Sequence, residues 1–513
     1  VVQKIQLEHH YDYILSSDVS EDLAHFKTIF DNCIDIKFRE FVIHGARKGA
    51  LVFLSGLVNI QTIDFEIMKP LVESDERLFQ DSGSGFNDDS MKHLIENRLL
   101  FSSQLSWFDE FSDVVEHILS GNVAFLIDGL KQVLIINAKH WDKRAVDEPA
   151  TEAVIRGPRE GFQETISTNI SLIRRRLKTP QLKMEDMIAG RLSNTQIVIT
   201  YLDGIVDKKL VDEVKKRIGK IKIDAILESG YVEELIEDNS FSLFPQVLIT
   251  ERPDRVVGNL LEGKVGIIID NTPFVIIVPG TFFQLLQSPE DYYQRYFIAS
   301  AIRMLRFFAV LFSLLLPSLY IALTTYHQEM IPTMLLISIA ASRETVPFPA
   351  FIEALVMEIA FESLREAGVR LPRPVGQAVS IVGGLVIGQA AVEAGIVSSP
   401  LVIVVSMTGI ASFIFPSFQL GLAFRLLRFP MMVAAATFGL YGILMMLLLL
   451  LIHMLRLHSF GVPYLTPMAP LRISGLKDVI IRANWPKQSS HAEELKSQRY
   501  HNPFKRLRQR QNR

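Results

Sequence analysis

Between residues 307 and 455 the chain holds four long runs without Asp, Glu, Lys or Arg: 307–326, 375–392, 400–424 and 429–455. A helix that crosses a bilayer needs about 20 mainly apolar residues, so each run reads as a membrane span. The spans are placed at about 307–326, 375–395, 400–422 and 429–455. Two intermediate segments fit less simply. Residues 331–341 are apolar but too short to cross, which suits a re-entrant segment, an interfacial one or half of a broken span. Residues 350–367 have a helical pattern but carry Glu353, Glu358, Glu362 and Glu366. Such a helix crosses only if its acidic side meets protein or water.

Flanking charge sets the expected orientation. Arg295, Arg303 and Arg306 precede the first span, and the residues after Pro470 include eleven Lys/Arg against three Asp/Glu. Both ends are therefore expected on the cytoplasmic side, which requires an even number of spans. Four is the preferred count, and six follow if both intermediate segments cross. Four spans leave Arg425 and Arg428 on the outer side, in conflict with the rule. The first 30 residues carry Glu8, Asp12, Asp18, Glu21 and Asp22 and no apolar run, so they do not read as a signal peptide. A single cysteine, Cys33, excludes an intrachain disulfide framework. The net charge of −3 favours no binding to nucleic acid.

The region ahead of the spans repeats itself. DVVEHILSGNVAFLIDGLKQVLII (113–136) recurs as RVVGNLLEGKVGIIIDNTPFVIIV (255–278). Each copy reads as a helix ended by glycine and followed by a β-hairpin, with Asp128-Gly129 and Asp270-Asn271 as turn residues. A second echo pairs FLSGLV (53–58) with YLDGIV (201–206). The fold class is thus an α/β soluble N-terminal region of two similar tandem subdomains with mixed sheets, followed by an all-α polytopic membrane domain and a short basic tail. The boundaries are 1–145 and 161–296 for the subdomains, 146–160 for the linker, 297–457 for the membrane domain and 458–513 for the tail. Residues 81–90 read as a loop. Ile166, Ile170, Ile173 and Leu177 mark one face of a helix whose end carries Arg174, Arg175 and Arg176. These arginines read as helix-end complementarity or, more sharply, as a contact for anionic lipid or a partner.

No phosphate-binding loop, zinc-protease motif or dinucleotide fingerprint occurs, so no enzyme, cofactor or metal site is expected. The membrane residues are more informative. Ser380, Gly384 and Gly388 fall four apart, as in closely packed helices. Glu358, Glu362 and Glu366 form an acidic stripe at i, i+4 and i+8. The stripe reads as the solvated face of an interfacial amphipathic helix or, more sharply, with Glu353 and Glu393, as a candidate cation path, which becomes a ring of carboxylates if the chain forms a ring.

EAVIRGPREGFQETISTNISLIRRRL (152–177) resembles the GerA-type spore germination protein family, specifically its A subunit. ESGYVEELIED (228–238), the block 344–399 and GVPYLTPMAP (461–470) are similar to it as well. Residues 1–145 and the last 25 are less distinctive. The resemblance implies a nutrient germinant receptor subunit in the inner membrane of a bacterial spore. It implies a transporter-like B subunit and a lipoprotein C subunit as partners, together with self-association and contact with membrane lipid. It also implies that nutrient recognition falls mainly to B, and that A supplies an ion path or signalling core. A non-conducting scaffold is the alternative. A secondary transporter fits less well, because four spans without an internal membrane repeat do not suit one.

Overall fold

The repeated blocks fold alike. The computed structural model describes residues 13–43, 47–73, 92–93, 95–96, 105–140, 148–149, 151–370, 386, 388–471, 473–476 and 478–483. The expectations for 81–90, for most of the 375–395 span, for Ser380 and Gly384 and for the tail beyond 483 lie outside the described residues.

Subdomain 1 contains helix α1 (Val19–Ile29) and strands β1 (Ile36–Ile43) and β2 (Arg47–Leu54). An irregular helical stretch at 60–73 follows, then β3 (Leu105–Phe108), α2 (Phe111–Leu119), β4 (Val123–Ile127) and β5 (Val133–Ile136). Subdomain 2 repeats the series with α3 (Ile166–Arg176), β6 (Leu182–Ala189), β7 (Thr195–Leu202), α4 (Lys208–Ile218) and α5 (Ser229–Ile236). It closes with β8 (Leu248–Thr250), α6 (Pro253–Leu261), β9 (Val265–Ile269) and β10 (Val275–Val278). The sheet orders are β1-β2-β4-β5-β3 and β6-β7-β9-β10-β8, the same topology twice. Gly121 and Gly263 end α2 and α6 at φ 89° and 81°, and Gly129 and Asn271 turn the hairpins at φ 91° and 67°. The glycine stops and turn residues therefore act as the repeat predicts.

The expected mixed sheets are corrected: every strand pair within the two sheets is antiparallel. The reason is topological. The crossover through α2 joins β3 to β4, but β5 inserts between them, and β10 separates β8 from β9 in the same way. A crossover helix thus does not imply parallel neighbours. Helices cover both faces of each sheet. One apolar cluster on sheet 2 joins Ile166, Ile170, Ile173, Leu182 and Val198, while its other face buries Ile197, Ile199, Val211 and Val232.

The two subdomains meet through equivalent segments, residues 29–35 of the first and 174–184 of the second. Arg174 sends Nε and Nη2 to the two oxygens of Asp35 at 2.7 and 2.9 Å. Lys183 Nζ donates to the carbonyls of Ile29 and Asp31, and Ile34 N donates to Met184 O. Arg174 is buried, so the basic end of α3 is not simply a solvated helix terminus. Arg175 and Arg176 instead share Glu160.

Beyond subdomain 2 the chain is helical: α7 (Tyr296–Thr325), α8 (Thr333–Arg343), α9 (Ala350–Arg370), α10 (Ser399–Phe413) and α11 (Phe418–Arg456). Among the described helices, α7 and α11 are long and apolar enough to cross a membrane. The segment expected as one span at 429–455 is not a single straight helix. Its backbone breaks at Gly439, with φ 61° and ψ −139°, a conformation reserved for glycine. The legs 418–438 and 440–456 fold back on each other. The Phe244 ring lies 5.8 Å from that of Phe424 and 6.0 Å from that of His453. A straight helix would hold those two residues about 43 Å apart. The helix that begins the 400–422 span likewise ends at Phe413. Pro416 lacks the N–H that a continuing helix needs, and the Ser417 hydroxyl caps the next helix by accepting from Leu420 N. The two intermediate segments are both helices, α8 and α9, the latter 21 residues long.

The buried Arg174–Asp35 pair leads to a stability test. Removing one partner of such a pair strands the other charge, at a cost of about 3–5 kcal/mol. Arg174→Ala should therefore lower the urea midpoint followed through tryptophan fluorescence. The double change Asp35→Leu, Arg174→Met should recover most of that loss.

Candidate functional site

Contacts fix the direction of each helix in the bundle. Helix α7 starts beside subdomain 2, where Arg303 and Arg306 both bind Asp291. It ends at the tip of the α11 hairpin, where Tyr326 OH donates to Ala436 O at 2.8 Å. Helix α9 runs the other way. Its Glu353 accepts from Ser398 N and Oγ at 3.1 and 2.9 Å, and Ser398 also meets Tyr320 near the far end of α7. Its Arg365 reaches Ser412 at the near end of α10.

The middle of this bundle carries a charged network. Arg428 Nη1 donates to Glu358 Oε2, and its Nε donates to the carbonyl of Ser313 at 2.9 Å. Arg428 and Glu358 are 1% and 0% exposed. One turn further, Glu362 accepts from Arg365 at 3.4 Å and from Arg425 at 3.2 Å. Three helices, α7, α9 and α11, are thereby tied at one level. Ionised groups inside a low-dielectric bundle persist only when paired in this way.

The expected acidic stripe is thus present on one helix, but its carboxylates are engaged within the chain. Glu353 pairs with Arg343 at 3.1 Å, and Glu366 pairs with Arg370. Glu353 and Glu358 are buried, Glu362 is partly buried, and Glu366 is exposed. Glu393 is exposed and accepts from Gln389 at 2.9 Å, on another helical segment. Gly388 is buried, and a Cβ there would meet Val402 at 3.3 Å. Arg343, Arg365, Arg425 and Arg428 were not singled out by sequence. The one available signal was the misplacement of Arg425 and Arg428 under a four-span count. Gln419 touches subdomain 2, so both arginines follow a helix start at the subdomain end of the bundle.

Subdomain 2 grips both ends of the α11 hairpin. Gln419 Nε2 donates to both oxygens of Glu233 at 3.0 and 2.9 Å, and Ser242 Oγ meets His453 Nε2 at 3.0 Å. After α11 the chain returns to subdomain 2. Strands β11 (His458–Ser459) and β12 (Val462–Pro463) pair there, and Ser459 Oγ donates to Gln246 O at 2.6 Å. Asp478 then binds Arg303 at 2.8 Å and accepts from Tyr292 OH at 2.7 Å. The described start of the expected basic tail is therefore docked, since its Asp478 answers charges at the α7 entrance. Among the described residues, no three His, Cys, Asp or Glu side chains converge as a metal site.

The architecture defines a class: a tandem α/β module clamped onto a helical bundle with an internal Arg–Glu network. The profile of the Bacillus/Clostridium GerA spore germination protein family matches residues 24–494, and the chain belongs to that family. It is 46% identical over 481 residues to the uncharacterized membrane protein YfkQ of Bacillus subtilis (strain 168), covering 94% of this chain and 92% of that one. It is also 46% identical over 486 residues to spore germination protein KA of the same organism, covering 94% and 87%. The crystal structure of the N-terminal domain of the A subunit of the Bacillus megaterium spore germinant receptor GerK3 is similar at 34% identity. It covers 53% of this chain and 98% of that one, with a TM-score of 0.41.

Burial, and secondarily the nearby Glu237 charge, raise the Glu233 carboxyl from 4.5 to about 7. A carboxyl with a raised folded-state pKa holds its proton longer in the folded protein than in the unfolded one. Its contribution to stability is then full below the unfolded pKa and falls as pH rises through the folded one. The thermal midpoint of the full chain in neutral detergent should drop between pH 5 and 7.5. Glu233→Gln should flatten that part of the profile.

Proposed function

We propose that this chain is the A subunit of a nutrient germinant receptor in the spore inner membrane, and that its helical bundle converts nutrient sensing into ion release. The names of its relatives support a role in germination. In this reading the soluble module and the described tail face the spore core. A transporter-like B subunit, a lipoprotein C subunit and further copies of the chain complete the receptor. The observation that carries the signalling role is mechanical. Helix α11 holds Arg425 and Arg428 of the charged network and has both ends anchored on subdomain 2. Motion of the soluble module therefore acts directly on the carboxylates of α9.

The candidate ion path follows Glu353, Glu358, Glu362 and Glu366, with Glu393 nearby in sequence order. The arrangement described is a closed one, in which arginines occupy the α9 carboxylates. Opening requires α9 to exchange arginine for permeant cations. A second reading, a non-conducting scaffold that clusters receptor subunits, is favoured by that same pairing, because a neutralised stripe needs no ion.

Cation release from spores on nutrient addition separates the two. Changing Glu358, Glu362 and Glu366 to Gln should reduce the flux at unchanged protein level. Undiminished flux removes the α9 path and leaves the scaffold.

A further inference from the structure

The charged network does not balance. Arg365, Arg425 and Arg428 face Glu358 and Glu362, three cations against two carboxylates. Arg428 is closed off by Glu358 and Ser313, so the excess lies on the other two. Arg425 gives Nη1 to Glu362, and its Nε and Nη2, on a side chain 12% exposed, make no bond among the described residues. Arg365 gives Nη1 to Glu362 and Nη2 to Ser412, and its Nε is buried without a partner among the described residues. The neighbouring Glu366–Arg370 pair is neutral and supplies no further anion. On the subdomain side, Glu233 is engaged by Gln419.

The surroundings of the two arginines are aromatic. The Arg365 guanidinium lies 4.5 Å from the Phe413 ring centroid and 5.1 Å from that of Phe361, and Arg425 lies 5.8 Å from that of Phe418. Phe413 and Phe418 are 69% and 70% exposed. They stand at the end of the bundle nearest subdomain 2, where α10 ends and α11 begins. Guanidinium groups behind a rim of exposed aromatic rings, at the end of apolar helices, match the chemistry of a lipid headgroup beside its acyl chains.

We propose that Arg365 and Arg425 bind the phosphate of an anionic phospholipid at the subdomain end of the bundle. The inference rests on the reading that the bundle lies in a membrane. The open Nε and Nη2 of Arg425 form a fork suited to two phosphate oxygens, which a lysine ammonium does not reproduce. A single added negative charge brings the cluster to neutrality. Low-dielectric surroundings make that charge worth more here than at an exposed site. A soluble phosphate shares the chemistry but lacks the acyl chains that the Phe413 and Phe418 rim would contact.

The full chain is reconstituted into phosphatidylcholine nanodiscs with and without phosphatidylglycerol, and its thermal midpoint is read by tryptophan fluorescence. Phosphatidylglycerol should raise the midpoint of the unaltered chain. Arg365→Gln and Arg425→Gln should each lose that rise, Arg425→Lys should keep only part of it, and Arg370→Gln should keep all of it. Native mass spectrometry should show phosphatidylglycerol retained by the unaltered chain and by Arg370→Gln, and lost from the two Gln variants at the network, whatever their midpoints. An equal rise and equal retention in all variants would overturn the site. A rise reproduced by inorganic phosphate or glycerol 3-phosphate in pure phosphatidylcholine discs would reassign it to a soluble anion. Failure of the chain to enter either kind of disc would overturn the membrane reading beneath it.

Discussion

Arg428 is a fully charged side chain with almost no exposed surface, set among apolar helices. Its environment follows from that constraint. Glu358 must sit opposite it, which fixes the rotation of α9 about its axis. The carbonyl of Ser313 must point inward, which fixes α7 beside it. The helix that carries Arg428 must start where Gln419 reaches Glu233, which places Arg428 midway between subdomain 2 and the tip, with Arg425 a turn nearer the subdomain. The buried charge thus adds little as net attraction and acts chiefly as a demand on geometry.

A different pair does comparable work in the soluble module. Arg174 and Asp35 join two copies of one fold, and beside them the Ser171 hydroxyl donates to the Gly56 carbonyl.

Much of this architecture was legible in the sequence where the signal was local. The repeat showed because Gly121, Gly129 and Gly263 are required by positive φ, and the surrounding Val and Ile residues are required by buried strands. The equivalence of α1 and α3 did not show, because the two helices pack against different neighbours and share no such backbone requirement. The acidic helix was legible as a helix with carboxylates on one side. Its partners were not, since Arg425 and Arg428 lie 63 and 70 residues away from Glu362 and Glu358. Hydropathy likewise marked 429–455 as apolar but is blind to direction. A reversal at one glycine leaves the composition of the run unchanged.

The reversal at Gly439 gives α11 the mechanics of a lever with two feet. Both feet stand on subdomain 2, while the tip bears on the end of α7 through Tyr326 and His327. The tip stands ~30 Å above the feet, so a tilt of about 4° at the base displaces it by ~2 Å. The two legs would move together, because neither can slide without the other. A small rocking of the soluble module would thus arrive at the opposite end of the bundle as a translation about the length of a hydrogen bond.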